Sequence, residues 1–550
     1  MPDFVDRPAS PAQPLLCRRP FLWILVGVGA ALRIFQYASD TSLWYDELSI
    51  VRNLVHRSEM RLLMEPLGGD QVAPVGFMVA EKTISHVLGE SDLAFRFLLL
   101  PVSLAALVIF LWLAERVLDG YAVPFAVAMF AIGAPLIRYA AEVKSYGIDI
   151  AAMIALALIA LKLRDPDCTT RDCVLAGLAG AVLVWFSQPT VFVLAGLGAA
   201  LLLAWLRDRD PQTRRAVVVT VPIWAVASAA ATIVAIRHVT PATRAHMDDF
   251  WRLRDGFFPW PLRKPGDALW LWDRILELFD DPTVLRYRWP ALYGGLVVVG
   301  LIVLWRRNRF AALVLLDPFA VGVLAAVAQQ FPLKTRVALY LLPILILAAA
   351  AGAEWLRRQA SRLHPAAGGV CMAALFVVPL LAFAERLPPY WVEDHKSVLA
   401  FLREKRQPGD AVFVFAYEIE AVERYGAEYG LTSGEYEVGN CSSEDGRAFL
   451  RDMDRYRGRR RVWLIDGSVP GFNAARTSLE KYLATIGTLE ESISIPSEKP
   501  LNPVGAHLFN LSDSVRLAAA SAETFRLEPR APGVPKPRCS DRVRPLRDPS

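Results

Sequence analysis

The sequence predicts an α-helical polytopic membrane protein of about eleven spans that ends in a small α/β domain. Three observations carry this fold class. Of the 550 residues, 54% are hydrophobic and the mean hydropathy is +0.33, which is too apolar for an ordinary soluble protein. Apolar stretches of membrane length recur through the first 385 residues, with arginines in every second connection. Beyond them, short strand-like and helix-like patterns alternate.

The spans follow an N-terminal tail, residues 1–20, and define a membrane domain over residues 21–385. The first apolar run begins at Phe21, and no small-residue cleavage site follows it before Arg33. We therefore expect a retained helix rather than a cleaved signal peptide. The spans are expected near 21–38, 93–115, 121–138, 147–163, 173–186, 190–206, 216–236, 289–305, 311–328, 337–356 and 366–385.

Basic residues in alternate connections orient the chain. The positive-inside rule places them in the cytoplasm, and an odd number of spans then exports the C-terminal end. We expect a multi-pass protein of the inner (cytoplasmic) membrane, with its N-terminus inside and its C-terminal domain facing the periplasm or the exterior. Because these residues are spread over short loops and form no stripe, nucleic-acid binding is not expected. They are Arg7, Arg18, Arg19, Arg116, Lys162, Arg164, Arg171, Arg207, Arg209, Arg214, Arg215, Arg306, Arg307, Arg309, Arg357, Arg358 and Arg362.

Two long loops lie on the predicted outer side. The first, residues 39–92, contains Pro74–Leu88, whose mixed apolar and charged pattern predicts an interfacial amphipathic helix. The second, residues 237–288, is rich in aromatic side chains, which either anchor it at the membrane interface or contact a substrate. These aromatic residues are Phe257, Phe258, Trp260, Trp270 and Trp272.

The exported region divides into an α/β domain, residues 386–517, and a proline- and arginine-rich tail, residues 518–550, for which we expect disorder. Cys441 and Cys539 either form one disulfide on the exported side or are unrelated. Asp410 and Asp466 lie beside strand-like runs and are either plain loop residues or part of a ligand site. The strand patterns cover 411–416, 461–465, 489–495 and 506–511, and helical patterns cover 394–405 and 418–425.

An acidic pair, Asp46-Glu47, lies just beyond the first span on the predicted outer side. Carboxylates at the rim of a bilayer are costly unless they are paired or used, so the pair is a candidate functional site. Cations gather on the same side, where the positive-inside rule predicts few. Any one of them can snorkel to the headgroups, but together they favour recognition of an anionic phosphate. These cations are Arg33, Arg96, Arg138, Lys144, Lys334 and Arg336.

A carboxylate pair and several cations on one side of the membrane suit the transfer of a sugar from a lipid phosphate. Breaking the anomeric C–O bond leaves negative charge on the departing phosphate, which nearby cations stabilise. A carboxylate on the opposite face of the sugar accepts the proton of the acceptor hydroxyl. A single displacement inverts the anomeric centre.

The motifs that surround these residues resemble those of C-type multi-spanning glycosyltransferases. This family includes protein O-mannosyltransferases, aminoarabinose transferases acting on lipid A and bacterial lipopolysaccharide-core enzymes. The resemblance covers residues 20–385 in layout and is most specific over 33–150. It is carried by LWYDELSI (43–50), QVAPVGFMVAEKTISHVLGESDLAFRF (71–97), RYAAEVKSYGIDI (138–150) and KTRVALYLLPILILAAAAG (334–352).

The resemblance implies that Asp46 is the catalytic base and that Glu47 supports it, either by orienting the acceptor or by holding a divalent cation. No cofactor is certain; a divalent cation at these two residues is the one possibility. By the same resemblance Lys144 is the first candidate for the donor phosphate, where many members have arginine. The other phosphate candidates are Arg138, Arg336, Lys334 and Arg96, and the substrate-lining candidates are Tyr45, Gln71, Glu142 and Tyr146.

Departures from the family pattern argue against the aminoarabinose branch. Residues 71–74 carry one proline where the family often has two, and they lack the lysine of the aminoarabinose branch. Lysine at 144 also loses the bidentate grip of arginine on phosphate. The expected partners are a polyprenyl-phosphate-linked sugar, a lipid, glycan or protein acceptor, and membrane lipids. A transporter or flippase of lipid-linked sugars and an inactive scaffolding relative remain as alternatives to the transferase.

Overall fold

The computed structural model describes residues 15–280, 285, 287–439, 447–467, 473–496 and 503–529. The membrane-domain part is helical throughout. A 3₁₀ turn, Thr335–Leu341, leads into its seventeenth helix. The helices are α1 (Arg19–Ala38), α2 (Tyr45–His56), α3 (Glu59–Met64), α4 (Val75–Leu88), α5 (Asp92–Arg96), α6 (Leu99–Val117), α7 (Ala122–Ile132), α8 (Ala134–Arg138), α9 (Tyr146–Lys162), α10 (Thr170–Leu183), α11 (Thr190–Asp208), α12 (Pro211–Arg237), α13 (Pro241–Arg252), α14 (Trp270–Asp280), α15 (Pro290–Arg307), α16 (Arg309–Val327), α17 (Leu342–Leu363) and α18 (Pro365–Ala384).

Every apolar segment predicted as a span is helical. Within the described residues, 8 helices are long and apolar enough to cross a membrane: α1, α5 with α6, α11, α12, α15, α16, the 3₁₀ turn with α17, and α18. The other predicted segments correspond to α7 with α8, to α9 and to α10, which are each shorter. Between α7 and α8 the helix breaks at Gly133, whose backbone is extended, because Pro135 cannot continue the hydrogen-bonding ladder.

The break explains the buried arginine of the first span. Ending α7 frees the carbonyl groups of its last turn. The guanidinium of Arg33, which is fully buried, donates to the carbonyls of Phe130 and Ala131 at 3.1 Å each, and also to Ser103 of α6 at 3.0 Å. Arg33 therefore joins α1, α6 and α7 inside the bundle, and it does not belong with the cations grouped with it in the sequence.

The α15–α17 contact is a backbone-to-backbone packing that glycine makes possible. A Cβ at Gly300 would lie 1.7 Å from the carbonyl oxygen of Ala348, and one at Gly352 would lie 2.1 Å from that of Leu296. Small residues at a helix crossing allow this approach inside a membrane. The first thirteen residues of α17, Leu342–Glu354, are all buried inside the bundle.

The arginine-rich connections predicted to be cytoplasmic meet at one end of the bundle. Arg307 pairs with Asp119 at 2.6 Å, and Arg164 pairs with Asp208 at 2.9 Å. Arg357 lies over the ring of Tyr121, with 4.7 Å between the guanidinium carbon and the ring centroid. These contacts involve five different connections, as expected if all of them lie on one side of the membrane.

The opposite end carries the first loop and the C-terminal domain. Helix α4 corresponds to the predicted interfacial helix, and its Lys82 donates to the carbonyl of Leu54 in α2 at 2.7 Å. Apolar side chains of α2 and α4, among them Phe77, pack in one cluster with residues of the C-terminal domain that include Val398 and Ile465. The first loop is therefore the base on which the C-terminal domain lies.

The C-terminal domain contains a five-stranded sheet in the order β2-β1-β3-β5-β4. Strands β2, β1 and β3 are parallel, and β5 runs antiparallel to both of its neighbours. One face packs on α19, α20 and the first loop, and the other packs on α21 and α22. The elements are α19 (His395–Lys405), β1 (Ala411–Val414), α20 (Ile419–Tyr425), β2 (Glu437–Val438), α21 (Ala448–Asp454), β3 (Val462–Gly467), α22 (Asn473–Ile486), β4 (Thr488–Ile495), β5 (Val504–Asn510) and α23 (Ser514–Leu517).

The predicted strand runs correspond to β1, β3, β4 and β5, whereas β2, α21 and α22 were not predicted. Asp410 is no plain loop residue, because Arg461 and the indole of Trp463 both donate to its carboxylate. The packed domain also reaches beyond 517, since Arg447 donates to the carbonyls of Ala522 and Phe525, and this corrects the predicted start of the disordered tail. Both cysteines of the suggested disulfide, 441 and 539, lie outside the described residues.

Candidate active site

The acidic pair occupies the first turn of α2, which starts directly after Trp44. Carboxylates in this turn interact favourably with the exposed N–H groups of the helix. Glu47 completes the cap by accepting from the backbone N–H of Trp44 at 3.3 Å. Neighbouring residues in a helix diverge by about 100°, so Asp46 and Glu47 meet different surroundings.

Glu47 is a buried structural carboxylate. Arg96 donates to both of its oxygens, at 3.1 and 2.9 Å, and the backbone N–H of Val143 donates at 2.8 Å. The remaining donors of Arg96 reach the carbonyls of Thr41 and Ser42. This bidentate pair joins α2, α5 and the loop after α8, and it argues against both a phosphate contact for Arg96 and cation coordination by Glu47.

Asp46 lies at the more open side of the same turn. Its Oδ2 is 2.7 Å from a guanidinium nitrogen of Arg336, and these side chains are 15% and 19% exposed, against 2% for Glu47. The Arg336 guanidinium also lies over the ring of Trp44, 5.3 Å from its centroid. The 3₁₀ turn before α17 thus brings Arg336 to Asp46 across 290 positions of sequence.

Lys144 extends this cluster from the loop between α8 and α9. Its ammonium donates to Oε1 of Gln71 at 2.7 Å. Burial lowers the pKa of Lys144 below its ordinary value, and the nearby Asp46 carboxylate opposes that shift while the Arg336 guanidinium adds to it. Asp46, Arg336 and Lys144 therefore interact electrostatically, with Gln71 holding the ammonium in place.

Arg138 and Glu142 form the wall behind Trp44. Arg138 donates to Glu142 at 2.7 Å, and its guanidinium lies 5.8 Å from the Trp44 ring centroid and 5.2 Å from that of Tyr139. Tyr146 packs edge-to-face on Tyr139, with ring centroids 5.2 Å apart. The predicted residues Arg138, Glu142 and Tyr146 thus lie close to the Asp46 cluster, with the charge of Arg138 balanced by Glu142.

Lys334 and Tyr45 point elsewhere. The Lys334 ammonium lies 3.2 Å from Glu277 of α14, in the second long loop, and so it is not placed beside Asp46 as the sequence suggested. The Tyr45 ring stacks on Tyr417 of the C-terminal domain, with centroids 5.4 Å apart. Its backbone N–H donates to Glu393 at 2.8 Å.

The C-terminal domain holds α2 in position, a role that sequence reasoning missed. Glu420 accepts from Ser49 at 3.1 Å and from Arg52 at 3.2 Å, and the hydroxyl of Tyr425 accepts from the N–H of Leu43 at 2.8 Å. These contacts bridge more than 360 positions of sequence. No local pattern signals such pairs, since an exposed helix carries the same residue types.

Glu393 belongs to a buried triad with His395 and Glu418. The two imidazole nitrogens lie 3.3 Å from Glu393 and 3.2 Å from Glu418. Burial lowers the pKa of His395, but the charge of Glu418 and the hydrogen bonds with both carboxylates outweigh it and raise the pKa to about 10. The imidazolium therefore ties the segment that binds Tyr45 to α20.

A pH dependence of stability follows from this triad. The raised pKa of His395 contributes stability that is fully present below pH 6.5 and is lost as the pH rises through about 10. We expect the His395→Gln variant to have a lower apparent Tm than the wild type at pH 6.5, with the gap narrowing towards pH 10. Thermal unfolding of both proteins in detergent across this range measures it; a gap independent of pH would contradict the assignment.

No protein-family model matches the chain, and no curated protein matches it in sequence. Among solved structures, it is similar to ArnT from Cupriavidus metallidurans bound to undecaprenyl phosphate, at 12% identity and a TM-score of 0.45 over 89% of this chain and 98% of that chain. It is similar to the Archaeoglobus fulgidus oligosaccharyltransferase in complex with Zn and sulfate, at 14% identity and a TM-score of 0.47 over 86% and 72%. A third similar protein is the arabinofuranosyltransferase AftD from Mycobacteria, at 15% identity and a TM-score of 0.41 over 90% and 40%.

These proteins belong to the glycosyltransferase class that the sequence motifs resemble. At such TM-scores and identities, the roles of individual residues rest on the geometry of this chain alone.

Proposed function

We propose that the protein is an inverting glycosyltransferase that moves a sugar from a polyprenyl-phosphate donor to an acceptor hydroxyl on the outer face of the cytoplasmic membrane. One observation carries the proposal: a partly exposed carboxylate, Asp46, lies beside Arg336 and near Lys144, while its neighbour Glu47 is fully committed to Arg96. A base and a phosphate-binding pair of cations are thereby combined at one end of a membrane bundle.

In this proposal Arg336 and Lys144 bind the donor phosphate. Negative charge grows on this phosphate as the anomeric C–O bond breaks, and cations fixed beforehand stabilise that charge in the transition state. Arg336 provides a planar fork that fits phosphate oxygens, and Lys144 provides a point charge held by Gln71. The Asp46 carboxylate contacts Arg336 as the phosphate oxygens of the donor would.

Asp46 acts as the general base. When Arg336 turns to the phosphate, Asp46 is left as a carboxylate that accepts the proton of the acceptor hydroxyl while that oxygen attacks the anomeric carbon. The new C–O bond forms as the bond to phosphate breaks, so the configuration inverts in one displacement. The products are the glycosylated acceptor and polyprenyl phosphate.

The sidedness of the site is also part of the proposal. The arginine-rich connections meet at the end of the bundle opposite α2, and the positive-inside rule assigns that end to the cytoplasm. Asp46 and the C-terminal domain then face the periplasm or the exterior. A lipid-borne sugar is a suitable donor there, because nucleotide sugars and ATP are made in the cytoplasm.

The experiment that tests this function compares the cell-envelope glycans of cells with and without the protein by mass spectrometry. We expect loss of one sugar mass from one class of envelope glycan, which identifies the transferred group directly. Loss of the same sugar together with accumulation of the sugar-lipid donor on the cytoplasmic leaflet would favour a transporter instead.

A matched pair of substitutions separates the cations at the site. We expect Arg336→Gln to lower kcat/KM for transfer by about 10²–10³-fold, the typical effect of removing one preorganised donor to a developing anion. Lys334→Gln removes a cation two residues away that pairs with Glu277, and it should leave transfer close to the wild-type level. Steady-state transfer assays on both variants measure this; equal losses would contradict the assignment.

A further inference from the structure

A second cluster of ligand-type side chains lies in the C-terminal domain, away from Asp46. Asp466 is near the end of β3, His507 is in β5, and Glu480 is in α22. One ligand atom from each lies within 4.8 Å of the others. In the antiparallel pairing of β3 with β5, Asp466 is opposite Gly505 and Leu464 is opposite His507, so Asp466 and His507 are diagonal neighbours on one sheet face.

The imidazole of His507 is held in a metal-ligand orientation. The hydroxyl of Ser492, its partner across β4 and β5, lies 2.8 Å from Nδ1, which leaves Nε2 directed at Asp466, 3.4 Å from Oδ1. Metal-ligating histidines are usually oriented in this way by a hydrogen bond at the other ring nitrogen. Glycine at 505 leaves the room for it, because a Cβ there would lie 2.6 Å from Nε2.

The negative charge of the two carboxylates in the cluster is only partly balanced by neighbouring cations. Asp466 is fully buried, and its Oδ1 meets Arg476 and Nε2 of His507 as ion-pair neighbours at 3.2 and 3.4 Å, with no shorter hydrogen bond to it among the described residues. A buried carboxylate is costly unless its charge is fully matched. Arg476 is the neighbouring cation, at 3.2 Å from Asp466 and 2.8 Å from Glu480, so a single guanidinium faces two carboxylates.

We propose that Asp466, Glu480 and His507 bind one divalent transition-metal ion of the zinc type. One imidazole nitrogen and two carboxylate oxygens are a donor set that zinc accepts, with water completing the tetrahedron. Glu480 is one-third exposed and gives the ion a path from solvent. The ion joins β3, β5 and α22, so its role is to fix this face of the domain, and it is independent of the sugar transfer proposed above.

Zinc binding to the full-length protein in detergent tests the site. After dialysis against a chelator and then against buffered zinc, we expect elemental analysis to find about one zinc per wild-type chain. Asp466→Asn and His507→Gln should each lower the zinc affinity at least tenfold, and His86→Gln, which replaces an exposed histidine of α4, should not. No zinc on the wild type, or equal zinc on all four proteins, would overturn the proposal.

Arg476→Gln covers the case in which the ligand variants do not fold. Arg476 contacts the oxygens that the metal requires, so its removal should tighten zinc binding and increase the rise in apparent Tm that zinc produces. Unchanged or weaker zinc binding by this variant would mean that the cluster is only an ion-pair network. Gel filtration of each variant confirms that folded protein is compared.

Discussion

Asp46→Asn is expected to lower the rate of sugar transfer by about 10²–10⁴-fold, the usual contribution of a general base. Asparagine keeps the size of the side chain but cannot accept the acceptor proton. The side chain is partly exposed, and Arg336 retains its stacking on Trp44, so the fold should tolerate the change. The loss should appear in kcat, because the interaction is made in the transition state.

Glu59→Gln is the matched control for this experiment. Glu59 is an exposed carboxylate of the same loop, and it pairs with His86 rather than with the cluster around Asp46. We expect transfer by this variant to stay within a factor of about two of the wild type. A transporter or a scaffold would be indifferent to both substitutions, and an Asp46→Asn protein with full transferase activity would exclude Asp46 as the base.

Arg96→Met is expected to cause the largest loss of stability of any single change near the site, about 3–5 kcal/mol. The reason is that Glu47 would be left as a buried carboxylate with one strong donor fewer on each oxygen. The expected readouts are a lower yield of monodisperse protein in detergent and a lower apparent Tm. Glu47→Gln should be destabilising for the same reason, since it leaves the guanidinium unpaired.

The double variant, Glu47→Gln with Arg96→Met, separates a structural pair from a phosphate contact. Removing both charges avoids an unpaired buried ion, so we expect the double variant to be more stable than Arg96→Met alone. If Arg96 contacted the donor phosphate, Arg96→Met would instead fold normally and bind polyprenyl phosphate weakly. That result would return Arg96 to the phosphate site.

The sequence predicted the helical bundle and the division of its two ends, because membrane length and arginine placement are local properties. It also singled out the acidic pair, and the family resemblance gave Asp46 and Glu47 different roles, but the sequence did not show the separation of their surroundings. That separation depends on Arg96, Val143 and Arg336, which reach α2 from three distant segments. Likewise, Arg33 pairs with carbonyls freed by the break before Pro135, and no sequence pattern connects these positions.

The C-terminal domain was the least predictable part. Strand β2 has 2 residues and α21 has 7, which is too short for a periodic signal. The contacts of Glu393 and Glu420 with α2 depend on how the sheet lies on the first loop. Asp466 and His507 come together through strand pairing and Glu480 through the packing of α22 on the sheet, without the regular spacing of a metal motif.

The central claim is that side chain 46 faces the outer aqueous side within reach of a lipid phosphate. Asp46→Cys, made in a background without the 6 native cysteines, tests it with a membrane-impermeant thiol reagent applied from outside. We expect rapid labelling that polyprenyl phosphate slows, while a cysteine at the exposed position Glu59 is labelled equally with and without the lipid. Labelling of residue 46 only from the cytosolic side, or labelling that the lipid leaves unchanged, would contradict the account.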